Sequence, residues 1–110
     1  MKIAITCKTQ GPDAELDPRF GRCGFFLFFD TETGTEEFLK NPYGDSQGGA
    51  GIQSAREMVS RKVERILTGQ VGPNALKVLE EAGIGITSGL SGKVSALLQP
   101  YKEGRSGNAR

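Results

Sequence analysis

Five consecutive apolar residues, Phe25-Phe26-Leu27-Phe28-Phe29, constrain this chain more than any other stretch. Successive side chains of a strand point to opposite faces, so this run puts phenylalanine on both. A strand with one wet face alternates apolar with polar residues, whereas a strand covered on both faces reads as a continuous apolar run. The segment therefore belongs inside a sheet with cover above and below, and it is far too short to cross a membrane.

The flanking sequence supplies the partners. Lys2 to Thr6 alternates through Ile3 and Ile5 and reads as a strand ending at Cys7, followed by a long polar loop over Lys8 to Arg22. Thr31-Glu32-Thr33-Gly34 turns the strand Gly24 to Asp30 into a third, Thr35 to Lys40, so the first three strands form an antiparallel meander. After a loop from Asn41 to Gly49, residues Ile52, Ala55, Met58 and Val59 share one face of a helix running from Ala50 to about Lys62. Val63 to Leu67 suits a strand returning parallel. Pro73 takes the favoured first position of a helix striped by Leu76, Leu79 and Ala82 and closed by Gly83. Ile84 to Thr87 is a brief fifth strand, and Ser91 caps a last helix carrying Val94, Leu97, Leu98 and Tyr101. The order βββαβαβα predicts an α/β fold with a mixed five-stranded sheet and flanking helices. The expected layout is one domain over residues 1–104 and a flexible tail over 105–110.

Composition removes several kinds of function. Fourteen basic and thirteen acidic residues leave a net charge of +1, so nothing global draws the chain to nucleic acid or an anionic membrane. Met1-Lys2-Ile3 opens into strand sequence without the apolar core of a signal peptide, and a soluble, cytoplasmic protein with reduced thiols is expected. The absence of histidine removes the usual general base and the commonest metal ligand, so conventional hydrolase chemistry is not expected. Ser91-Gly92-Lys93 lacks both the first glycine and the following Ser/Thr of a phosphate-binding loop, and Gly83-Ile84-Gly85-Ile86-Thr87-Ser88-Gly89 has the wrong spacing for a dinucleotide fingerprint.

What remains is local. Leu16-Asp17-Pro18-Arg19-Phe20-Gly21-Arg22-Cys23 packs two arginines, an aromatic, a glycine and a cysteine ahead of the aromatic strand. Pro18 stiffens the turn and Gly21 lets another group approach the backbone, which suits a loop that holds an anion. A purely structural alternative stands beside it, in which Phe20 plugs the sheet edge, Arg19 pairs with Asp17 and Cys23 is a small buried hydrophobe. Cys7 and Cys23 flank paired strand ends, and Lys8, Arg19 and Arg22 nearby would favour thiolates that bind soft metals; two unrelated semi-buried cysteines are the alternative. Gly48-Gly49-Ala50-Gly51 and Thr68-Gly69-Gln70-Val71-Gly72-Pro73-Asn74 each lead into a helix whose N-terminus can present N–H groups to an anion. If both lie at the carboxyl edge beside the Arg19 loop, three weak signals meet in one crevice.

These residues together resemble the dinitrogenase iron–molybdenum cofactor biosynthesis domain family, which includes cofactor carriers of nitrogenase assembly and the orange-protein type. The resemblance rests on Asp17-Pro18-Arg19-Phe20-Gly21-Arg22 before an aromatic strand ending at Asp30, on Gly48-Gly49-Ala50-Gly51, and on Leu67 to Ala75 with Ala82-Gly83-Ile84. It implies a ribonuclease H-like motif, no catalytic activity, and a role in binding or carrying an anionic metal–sulfur cluster of the molybdenum–copper–sulfide or iron–molybdenum type. It further implies that Lys8, Arg19, Phe20, Gly21, Arg22, Gly48, Gly49, Gly69, Gly72 and Asn74 line the cluster site, with Cys7 and Cys23 as candidate metal ligands. Without histidine, the orange-protein mode is the better fit, because a cluster carrying its own sulfides needs positive charge and apolar walls more than protein ligands. Expected partners are the cluster itself and cluster-assembly or ATPase proteins, with neither nucleic acid nor membrane. Two other functions fit the residues: a protein-interaction module of an assembly or cell-division complex without a cluster, and a thiol redox role for Cys7 and Cys23. A metal-dependent nuclease is disfavoured, since Asp30, Asp45 and Glu64 have no spacing that forces them together.

Overall fold

The computed structural model describes residues 1–104, so the expected tail over 105–110 lies outside the described residues. Its elements are β1 (Lys2–Cys7), β2 (Phe25–Asp30), β3 (Glu36–Lys40), α1 (Ala50–Ser60), β4 (Arg65–Leu67), α2 (Pro73–Glu81), β5 (Gly85–Thr87) and α3 (Val94–Lys102). The five strands form one sheet in the order β3-β2-β1-β4-β5. β1–β2 and β2–β3 are antiparallel, while β1–β4 and β4–β5 are parallel. This order and these directions are compatible with a ribonuclease H-like arrangement.

The aromatic run sits where its composition requires. Phe26 joins Ala4, Ala55, Met58, Ile66 and Leu79 beneath α1 and α2. Leu27 and Phe29 join Ile3, Ile5, Leu67, Val94 and Leu98 beneath α3. Each face of the sheet thus has its own core, which is why β1 and β2 tolerate almost no polar residue. A tight turn joins β2 to β3, with Gly34 at φ 77° donating its N–H to the Asp30 carbonyl at 2.8 Å.

Three expectations change. The Lys8–Arg22 loop is not simply polar, since Ala14, Leu16, Asp17 and Phe20 are buried. It packs Leu16 under α3, crosses the carboxyl ends of β1 and β4, and inserts Phe20 into the core on the other face. Ser91 does not cap α3: the helix starts one residue after Lys93, and Val94 N–H donates to Ala14 O at 3.0 Å, so the crossing loop supplies the bond that a cap would. Val59 is 41% exposed, while Ser54 is fully buried, because the sheet and α2 meet α1 along Ala50, Ser54, Ala55 and Met58.

Candidate functional site

The crossing loop is fixed by its own acidic residue. Asp17 is 2% exposed and accepts the Arg19 backbone N–H, Nε and Nη2, each at 3.0 Å. Burial alone would raise the Asp17 pKa, but the hydrogen bonds and charge of Arg19, with a further bond from the Gly24 N–H, hold it below the usual carboxylate range. The Arg19 side chain stays 66% exposed, and its remaining N–H groups face solvent. The structural alternative for Arg19 is therefore realised without hiding the cation.

The segment that follows β4 clamps the same loop from behind. Gln70 N–H donates to Pro18 O at 2.7 Å and Phe20 N–H donates to Gln70 O at 3.1 Å. Gly69 is buried against Pro18 and leaves no room for a side chain, since a methyl there would lie 2.5 Å from Pro18 Cα. Gly21 plays the matching role against α1, where an added Cβ would meet Gly51 Cα and N at 2.7 Å. Asn41, 8% exposed, donates Nδ2 to the Gly21 and Cys23 carbonyls at 3.0 and 2.9 Å and accepts the Tyr43 N–H at 2.9 Å. It staples the two site loops together. Arg22 completes the staple by donating Nη1 to Gly44 O at 2.8 Å.

Around this scaffold opens a cleft of about 570 Å³, lined by the side chains of Lys8, Arg19, Arg22 and Lys40 with Asp17, Asp45, Asn41 and Cys23. Four cations against two carboxylates make it the local positive site that the nearly neutral composition left room for. Lys8 leans toward Glu15 at 3.8 Å, whereas Lys40 has no ion-pair partner among the described residues. Lys40 is the residue that sequence reasoning missed. The antiparallel meander pairs it with Phe25, beside Cys23, so the strand register already carried the signal.

The two glycine-led helix starts also reach this edge. Gly49, Gly51 and Gly72 border a shallow concavity of about 410 Å³ with Arg19, Gly21 and Arg22, and neither α1 nor α2 has a side-chain cap. Asn74 lies just beyond, in an adjoining depression with Gly49 and Gly72. Phe20 touches both hollows, but its ring is 2% exposed and packs on Phe26 at 6.1 Å between centroids. Gly48 is on the exposed loop away from these hollows, and Gly69 is behind Pro18.

The cysteines behave differently from expectation. Both are buried free thiols. Cys7 belongs to the core under α3 and Cys23 to the core under α1 and α2, so they lie on opposite faces of the sheet. Burial pushes both up to about 12, and the Asp17 carboxylate adds to the rise. The expected thiolate preference is reversed because the charge of Arg19 is matched by Asp17 and burial outweighs the more distant cations. No group of three or more Cys, Asp or Glu poised for a metal ion exists among the described residues. The donor set thus suits a group held by charge, with cations and backbone N–H groups on one exposed edge.

Residues 1–104 match the family described as dinitrogenase iron-molybdenum cofactor. The chain belongs to that family. Its fold recurs in solved structures. The apo form of the orange protein from Desulfovibrio gigas is 34% identical, with 94% of this chain and 88% of that one covered at a TM-score of 0.85. A putative NifB protein from Thermotoga is 30% identical over 94% and 89% of the two chains, at a TM-score of 0.78. An uncharacterized protein of Methanocaldococcus jannaschii is 27% identical over 108 residues, 96% of this chain and 88% of the relative. Among the described residues, no helix is long and apolar enough to cross a membrane.

Proposed function

We propose that this protein is a non-enzymatic binder or carrier of an anionic metal–sulfur cluster, of the molybdenum–copper–sulfide or iron–molybdenum type, with the cluster as cargo. The cleft rimmed by Lys8, Arg19, Arg22 and Lys40 carries this reading. Arg19 and Arg22 are displayed on a loop that Asp17, Asn41 and the Gln70 backbone hold in place, and Lys40 stands at the end of β3, so an anion meets preset charge and little ordering is required on binding. Neutral buried thiols support retention by charge and not by Cys7 or Cys23 ligation. Family membership and the likeness to the orange protein support the same cargo class. A carrier of this type would hand its cluster to assembly or ATPase partners.

The test is to mix the protein anaerobically with a preformed molybdenum–copper–sulfide cluster and measure the visible absorption that survives desalting. Arg22→Ala and Lys40→Ala should each lower retention, and Cys7→Ser with Cys23→Ser should preserve it. Equal retention in both cation variants would sink the cleft assignment, and loss in the cysteine variant would sink retention by charge.

A further inference from the structure

β3 closes one edge of the sheet, with β2 on its inner side and no described strand on its outer side. The phase of its hydrogen bonds follows from its two ends. Asp30 N–H donates to Thr35 O at 3.1 Å, and Asn41 N–H donates to Gly24 O at 3.0 Å. Antiparallel bonds recur at every second residue, so Glu37 and Leu39 also face β2 with their backbone groups. Glu36, Phe38 and Lys40 therefore turn their N–H and C=O groups outward. A bare edge of this type is a template for another strand unless something blocks it. β3 contains no proline, and the register with β2 runs without a bulge. The opposite edge, β5, is only three residues long.

The side chains specify which strand fits. We propose that β3 pairs antiparallel with β3 of a second copy of this chain, about a two-fold axis at Phe38. That register matches every outward backbone group: Phe38 faces Phe38, and Glu36 faces Lys40 at both ends. The sequence Glu36-Glu37-Phe38-Leu39-Lys40 is thus complementary to its own reverse in charge as well as in hydrogen-bond phase. Lys40 has no intramolecular ion pair among the described residues, and Glu36, although bonded to Lys102 at 2.6 Å, can accept from a second cation. An axis normal to the sheet keeps both Phe38 rings on the α3 side. There each half-buried ring borders an open groove of about 460 Å³ that has Leu27, Val94 and Leu98 in its lining together with the Glu36–Lys102 pair. Pairing closes the groove at that rim.

A five-residue edge buries less than the roughly 1,000 Å² of a stable interface, so the dimer is weak and concentration-dependent. Sedimentation velocity of the full chain from micromolar to millimolar concentration reads it directly. The parent should shift from monomer toward dimer. Glu36→Lys and Lys40→Glu each turn two attractions into repulsions and should weaken association about tenfold. The double variant Glu36→Lys/Lys40→Glu restores both attractions and should return association to the parental range. Circular dichroism establishes that each variant is folded, and Lys40→Glu leaves the Glu36–Lys102 pair intact. A monomer at every concentration, which would leave the edge to a different chain, overturns the proposal. So does a dimer that ignores the single reversals, or a double variant no better than the singles.

Discussion

Gly69→Ala tests how the cationic loop is held, because Gly69, two residues past the end of β4, packs directly against Pro18. An added methyl would lie 2.5 Å from Pro18 Cα, 2.7 Å from Pro18 Cβ and 2.8 Å from Pro18 O. None of these atoms belongs to a flexible side chain. Pro18 to Phe20 must retreat by on the order of 1 Å to reach ordinary carbon contact at about 3.5–4.0 Å. That movement loosens the bonds Gln70 N–H to Pro18 O and Phe20 N–H to Gln70 O. Overpacking costs about 1–3 kcal/mol and each of the two weakened bonds about 0.5–1.5 kcal/mol, so the loss should be about 2–6 kcal/mol. For a chain of this size that lowers Tm by roughly 8–25 °C. Gly72→Ala is the matched control: nothing lies within 4 Å of the new methyl, and the backbone at φ −68° and ψ 162° suits alanine. It should lie within about 1 kcal/mol of the parent, because the entropy gained by replacing glycine opposes the poorer fit of alanine at the N-cap of α2. Urea unfolding followed by circular dichroism measures both. If Gly69→Ala falls within about 0.5 kcal/mol of Gly72→Ala, the clamp does not hold the loop as described.

Other consequences can be checked on the same protein. Because both thiols are pushed up to about 12, Cys7 and Cys23 should resist alkylation in the native state at pH 8 and react promptly in urea; fast native labelling would contradict their burial. Unfolded thiols ionise first, so stability should fall as pH climbs from about 8.5, their unfolded value, toward 12. Asp17 has the opposite sign: its native pKa is lowered, so its stabilisation is complete above the unfolded value of about 3.9 and is lost as pH falls through the native one. Asp17→Asn should therefore be less stable than the parent at neutral pH, with a gap that closes on acidification; a constant gap would refute the Arg19 pairing. Asn41→Ala leaves the Gly21 and Cys23 carbonyls without their side-chain donor, and should lose about 1–3 kcal/mol in urea unfolding and weaken cluster retention.

The elements most legible in the sequence were those whose pattern is local. Phe25 to Phe29 demanded a doubly covered strand, Pro73 and Gly83 bracketed a helix, and Thr31 to Gly34 marked a turn. The Lys8–Arg22 segment reads as a polar loop because its buried residues, Ala14, Leu16, Asp17 and Phe20, have no period: they serve two cores on opposite faces. Ser91 has the residue type of a cap but not the role, because the bond to Val94 comes from Ala14, distant in sequence. Lys40 was overlooked because its place in the cleft depends on pairing with Phe25 and on the loop that crosses beside it.

The sequence by itself determined the layers of the fold and the kind of loop that precedes β2, because apolar periodicity and the angles of proline and glycine act over a few residues. Only the tertiary structure decided the chemistry of that loop. Burial turned Cys7 and Cys23 from expected thiolates into neutral thiols on opposite faces, and it placed Arg19 on a buried Asp17 with its outer face in solvent. Desolvation depends on what chain-distant groups exclude water from a site, and no spacing rule along the chain encodes that.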